Sequence, residues 1–205
     1  MTPRRARTAK AKPVPNPIRR TFAENAATLI AVFARELQAI ERMARLVQET
    51  LARGRTVFFC GNGGSAAEAQ HLATELVVRY KRDRAALPAL ALTTDASALT
   101  AAGNDYGFAR VFARQIEALG RRGDLLVAMT TSGRSANILE AVRAARSRGM
   151  RVAGMTGDPG KAFARRCDVA VVVPSRDTPR IQEAHLLIGH IVCEWAEERA
   201  RRRGR

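Results

Sequence analysis

From about residue 54 onward the chain repeats one pattern: a short continuous apolar run, a loop, then a stretch with helical spacing. The apolar runs fall at 56–60, 89–93, 124–130, 151–156 and 169–174. Helical patterns fall at about 66–79, 108–120, 136–148 and 180–200, with a weaker one near 160–166. Val169-Ala170-Val171-Val172-Val173 shows no polar alternation, so such a strand must be covered on both faces. Strands of this kind alternating with helices predict a parallel α/β sheet with helices on both sides. Ligands on such sheets bind beyond the carboxyl ends of the strands, so the loops that follow the apolar runs are where chemistry is expected.

Before this pattern lies one long helical stretch, 17–52, with Phe22, Leu29, Phe33, Leu37, Ile40, Leu46, Val47 and Leu51 at helical spacing. Asn16 and Pro17 suit its N-cap and first turn. No strand lies near it, so it covers the domain or packs against a partner subunit. The 205 residues fit one domain over 17–200, between basic tails at 1–16 and 201–205.

The net charge of +16 is concentrated at the ends. Residues 1–20 carry Arg4, Arg5, Arg7, Lys10, Lys12, Arg19 and Arg20 with no acid, and residues 197–205 carry five Arg against two Glu. Prolines at 3, 13, 15 and 17 make the first segment a solvated, disordered extension. Aromatic content is 5%, and no basic stretch is interleaved with aromatics, which argues against a nucleic-acid platform. No apolar run approaches the roughly 20 residues of a membrane span, and no secretory leader is expected. Cys60, Cys167 and Cys193 form no CxxC pair and read as small core residues in a reducing cytoplasm.

Two loops suit a phosphate. Gly61-Asn62-Gly63-Gly64-Ser65 follows the first apolar run and precedes a helix, whose free N–H groups and positive dipole end favour an anion. Thr130-Thr131-Ser132-Gly133-Arg134-Ser135 places four hydroxyls around one glycine at another helix start. Neither loop is a Walker A or GxGxxG sequence, so a small phosphorylated ligand is expected rather than a nucleotide. Further along, His71 and Glu75 lie four residues apart on one helix face. Gln182 and His190, eight residues apart, lie roughly 80° apart around the last helix. His, Glu and His with an amide oxygen make a set suited to zinc or a similar divalent ion, although the spacing alone equally fits surface hydrogen bonding. His185, roughly 140° from His190 around the helix, reads as a packing or supporting residue.

Over these residues the chain resembles the phosphoheptose (sedoheptulose 7-phosphate) isomerases of the sugar-isomerase (SIS) domain group. The resemblance runs from Phe22 to Glu198 and rests on CGNGGSAAEAQHLATEL (60–76), ALTTDASALTAAGNDYGF (91–108), TTSGRSANILEAVRAAR (130–146) and RIQEAHLLIGH (180–190). It implies a three-layer α-β-α sandwich with a five-stranded parallel sheet, and a homotetramer with active sites at subunit interfaces. It implies one zinc ion per subunit, with His71, Glu75, Gln182 and His190 as ligands. Substrate contacts are implied for Asn62, Gly63, Gly64, Ser65, Glu75, Asn104, Asp105, Thr130, Thr131, Ser132, Ser135 and Gln182, and an acid/base pair for Glu75 and His190. The implied reaction converts sedoheptulose 7-phosphate to D-glycero-D-manno-heptose 7-phosphate through an enediol, for lipopolysaccharide or other surface glycans. The chain departs from the pattern at Arg134, where Asn is frequent, at Thr130, where Ser is usual, and at Pro179, where some members carry an Asp; here Asp177 lies two residues earlier. Two alternatives stand beside this reading: a non-catalytic SIS protein that binds the replication initiator, and an isomerase of another sugar phosphate. The presence of His190 argues against the first.

Overall fold

The computed structural model describes residues 16–203, with side chains through residue 198. Of the basic tail expected over 1–16, residues 1–15 lie outside the described residues, and Asn16 caps the first helix. The chain opens with α1 (Pro17–Ala52), in which the Asn16 side chain accepts the Ile18 N–H at 2.9 Å and Pro17 occupies the first turn. Then follow β1 (Val57–Cys60), α2 (Gly64–Val77), β2 (Ala89–Ala91), α3 (Ala96–Tyr106) and, after a 3-10 turn at Phe108–Arg110, α4 (Ala113–Leu119). The remainder is β3 (Leu125–Thr130), α5 (Ala136–Ser147), β4 (Arg151–Gly157), a 3-10 turn at Asp158–Gly160, α6 (Lys161–Ala164), β5 (Val169–Val173) and α7 (Thr178–Arg203). The last helix thus continues through the first residues of the expected C-terminal tail.

All five strands are parallel, in the order β2-β1-β3-β4-β5. Alternate strand residues feed two separate cores. Val57, Phe59, Val127, Met129, Ala153 and Met155 face α1, α2 and α7. Phe58, Cys60, Leu126, Ala128 and Val152 face α3, α4 and α5. Both faces are therefore covered, which is why the strands read as unbroken apolar runs. At the β5 edge, the Val172 N–H donates to the Glu36 carboxylate of α1 at 3.1 Å, so α1 satisfies an otherwise open sheet edge. The three cysteines are free, and burial pushes each thiol well above its ordinary value.

Two elements differ from the sequence expectation. The helical stretch expected over 108–120 is split, because Val111 and Phe112 turn fully into the core between the 3-10 turn and α4. Helix α3 has no apolar stripe, and Ala102 is its only buried residue among those described. What starts it is Asp95, whose carboxylate accepts the Ala98 N–H at 2.9 Å.

Candidate active site

In this strand order the chain leaves β1 toward β2 on one side and β3 lies on the other, so a crevice opens between the carboxyl ends of β1 and β3. Both hydroxyl- and glycine-rich loops end there. They are tied by a reciprocal amide pair: the Asn62 side chain donates to Asn137 Oδ1 at 2.9 Å, and Asn137 donates back to Asn62 Oδ1 at 2.7 Å. Asn137, buried in the first turn of α5, was not singled out by the sequence reading, which stopped at Ser135. Within the second loop, Thr130 Oγ1 and Ser135 Oγ lie 3.3 Å apart, the Gly133 N–H donates to Thr130 Oγ1, and the Arg134 N–H donates to Ser132 Oγ. Thr131, Ser132 and Ser135 are half-buried, whereas Gly63 and Gly64 are exposed and Ser65 is buried.

The second group stands on α2 and α7. His71 Nε2 and His190 Nε2 approach to 2.7 Å, and His71 Nε2 lies 3.4 Å from Glu75 Oε1. One donor atom from each of His71, Glu75 and His190 falls within 4.8 Å of the others. Two glycines let the helices come this close. A Cβ on Gly189 would sit 2.5 Å from Leu72 Cδ2, so any side chain there would displace Leu72, and glycine lets α7 rest on α2 beside His71 without that shift. At the start of α2, a Cβ on Gly64 would lie 2.6 Å from Gln182 Nε2. The Gln182 amide therefore lies against the glycine loop. His190 stands two helical turns further along α7, roughly 12 Å by the helical rise. Asn104 and Asp105 are exposed at the end of α3, where the Asn104 amide donates to Asp105 at 2.8 Å. Asp177 precedes α7, and Pro179 falls in the first turn of that helix, where the missing N–H leaves no bond unmade.

The electrostatics set apart two histidines named from the sequence, His190 and His185, and one carboxylate that was not, Glu68. His190 is held below the ordinary imidazole value, first by burial and then by the neighbouring His71. Glu68 shares the face of α2 that carries His71 and Glu75, three and seven residues away. Its Oε2 is buried without a hydrogen-bond partner among the described residues, and burial pushes the carboxyl up to about 7. His185 is fully buried, and burial pushes its imidazole down to about 4, so it is a neutral core residue.

Comparison with known proteins converges on one group. The SIS domain family pattern matches residues 21–157. A phosphoheptose isomerase of Rhodospirillum rubrum is 50% identical over 179 residues, covering 87% of this chain and 95% of that protein. The solved phosphoheptose isomerase of Neisseria gonorrhoeae superposes with a TM-score of 0.84 at 43% identity, over 89% of this chain and 97% of that one. The corresponding structure from Francisella tularensis gives a TM-score of 0.86 at 38% identity, with the same coverage of both chains. No helix among the described residues is long and apolar enough to cross a membrane.

Proposed function

This chain belongs to the phosphoheptose isomerase family of SIS-domain proteins, and from that premise we propose that it interconverts sedoheptulose 7-phosphate and D-glycero-D-manno-heptose 7-phosphate with Glu75 and His190 as its acid/base pair. The observation that carries the acid/base assignment is the convergence of Glu75, His71 and His190 from two helices beside the crevice. It also weighs against the non-catalytic alternative, which has no need of that trio.

The phosphate sits at the loops 61–65 and 130–135. Backbone N–H groups at the start of α2 and the hydroxyls of Thr130, Thr131, Ser132 and Ser135 hold it without a fixed countercharge. Asn62, Gly63, Gly64 and Ser65 shape the near wall, and Gln182 bridges toward the sugar. From Gly63 to His71 the helix climbs about 12 Å, with side chains leaning back toward the N-terminus. An extended seven-carbon sugar phosphate spans about 10 Å between phosphorus and C1, so phosphate at the loops leaves C1 and C2 near the trio.

Glu75 takes the proton from C1 of the ketose while His190 delivers one to the C2 oxygen, giving the enediol. His190 then recovers the proton from the C1 oxygen, and Glu75 returns its own to C2. The donors fit a divalent ion: two imidazole nitrogens and a carboxylate oxygen converge, and an amide lies on the same wall. His71, Glu75 and His190 would hold one zinc per subunit, with Gln182, whose amide lies at the glycine loop in this structure, joining them only by turning toward the trio. Ligation and acid/base duty alternate at Glu75 and His190, and the bound ion would supply positive charge to the developing enediolate oxygens.

We place the working enzyme in the cytoplasm as a homotetramer whose sites lie at subunit interfaces. Supporting this, α1 exposes Ile18, Phe22, Ile30, Phe33 and Leu37 along its first half, and α7 exposes Leu187 and Ile191 on the turns around His190. Asn104 and Asp105, exposed at the end of α3, are the contacts such an interface would bring to substrate. The test is formation of aldoheptose phosphate from sedoheptulose 7-phosphate by zinc-loaded and zinc-stripped protein. Zinc-dependent turnover that fails in His190→Ala supports the assignment, and an inactive, zinc-loaded tetramer overturns it.

A further inference from the structure

Beyond the trio, a buried network ties the backs of α2 and α7 together. Glu197 of α7 is 2% exposed, and its carboxylate accepts three consecutive backbone N–H groups, from Tyr80, Lys81 and Arg82, each at 3.0 Å. The Arg84 side chain, itself nearly covered, lies 3.6 Å from Glu197 Oε1 and donates to the Glu75 carbonyl at 2.7 Å. The loop that leaves α2 is thus bound to α7 on one side and to the Glu75 backbone on the other. Lys81 adds an ion pair with Glu194 at 2.8 Å and lies over the Tyr80 ring. The consequence appears at Tyr80. Its ring centroid is 5.3 Å from that of His190, tilted by 31°, and the His71 ring centroid lies 5.0 Å from His190 with the planes at 66°. His190 therefore packs against two rings, one of which belongs to a residue whose backbone N–H is held by Glu197.

A buried ion pair contributes little net stability, because desolvation offsets most of its attraction; what such a pair can fix is register. Here the register concerns two reacting groups on different helices, and small displacements at such a site carry large losses in rate.

We propose that Tyr80, anchored by Glu197, is a positioning residue that sets the plane of the His190 imidazole relative to Glu75. The inference rests on the acid/base reading of His190 given above. It commits to ring packing rather than to the phenol hydroxyl, so Tyr80→Phe keeps the function and Tyr80→Ala loses it. Tyr80 is half-buried in a loop and packs on the rim of the core shared by α1, α2 and α7, so a melting curve beside each variant separates loss of fold from loss of ring placement.

The experiment compares Tyr80→Ala, Tyr80→Phe, Glu197→Gln and the Tyr80→Ala/Glu197→Gln double variant in full-length protein. It reads kcat and KM on sedoheptulose 7-phosphate and, independently of turnover, the ring-nitrogen NMR resonances of His190. Tyr80→Ala is expected to lower kcat about tenfold or more with KM within about twofold, and to shift and broaden the His190 resonances. Tyr80→Phe restores both. The double variant falls no further than the worse single one, because both act through one ring. A Tyr80→Ala variant with wild-type kcat and unmoved His190 resonances overturns the proposal, as does a Tyr80→Phe variant as impaired as Tyr80→Ala. If the wild type itself fails to turn over the substrate, the isomerase reading falls, and the His190 resonances still decide whether Tyr80 orients that ring.

Discussion

At the end of the cleft assigned to phosphate, the parts are mostly local. Loop 130–135 is held mainly by hydrogen bonds between its own residues, with the Gly157 N–H of β4 donating to the Thr131 carbonyl and the Asn62–Asn137 pair tying it to the glycine loop. At the other end, His71 and His190 meet from 119 residues apart, across a helix crossing that depends on Gly189 and a loop held by Glu197. In the proposed reading, the first construction presents neutral donors at helix starts to bind phosphate, and the second brings titratable groups together by tertiary packing to do the chemistry. Damage at the first end should appear in KM, and damage at the second in kcat.

The sharpest separation comes from Glu75→Gln, which keeps size and helix propensity while removing the base. We expect kcat to fall by roughly 10²–10⁴ with KM changed only a few-fold, read from saturation kinetics beside an unchanged circular dichroism spectrum. Next is Gly189→Ala. The added methyl meets Leu72 at the α2–α7 crossing and should destabilise the fold by about 1–3 kcal/mol, seen as a lower melting temperature, with kcat falling more than KM rises. Asn137→Ala attacks the opposite end. It frees the two loops from each other and should raise KM about tenfold, or about 1.4 kcal/mol, and weaken inhibition by inorganic phosphate in parallel while kcat stays within about twofold. A kcat loss larger than the KM change in that variant would break the division between the two ends.

The smallest effect concerns stability against pH. The Glu68 carboxyl has its folded value raised from 4.5 to about 7, so the fold favours the neutral form and stability falls as pH rises from 4.5 through 7. Glu68→Gln should therefore be more stable than wild type at pH 8, by about 1 kcal/mol, and no more stable at pH 4.5. His185 works with the opposite sign. Its folded value is lowered from 6.5 to about 4, so the unfolded chain takes up the proton first and stability is lost as pH falls from 6.5 toward 4. In Glu68→Gln the acid-side loss remains, shared by His185 and by His190, whose imidazole is also held below its ordinary value, and denaturant titrations across this pH range will show it.

Much of the fold was legible because parallel strands covered on both faces must be continuously apolar, as Val57–Cys60 and Leu125–Thr130 are. Helix α3 escaped because ASALTAAGNDY carries almost no buried apolar surface, and only Asp95 announces it through a cap. The glycine loop and the hydroxyl loop were legible since their chemistry is contiguous in sequence, and so was the His71/Glu75 spacing on one helix. Residues whose roles depend on tertiary contact gave no local signal. Asn137 looks like an ordinary helix residue until Asn62 is placed beside it. Tyr80 and Glu197 are separated by 117 residues, and nothing in either neighbourhood announces the loop grip. Gly189 reads as a helix-weakening residue until its contact with Leu72 is known.

The central claim is that carbon-bound proton transfer by Glu75 interconverts a ketose and an aldose phosphate. Proton NMR of sedoheptulose 7-phosphate with zinc-loaded protein in D2O tests it most directly. The account predicts growth of aldoheptose phosphate resonances, with solvent deuterium entering the carbon-bound position that Glu75 serves, and loss of both in Glu75→Gln. Aldose formation at the wild-type rate by Glu75→Gln would contradict it.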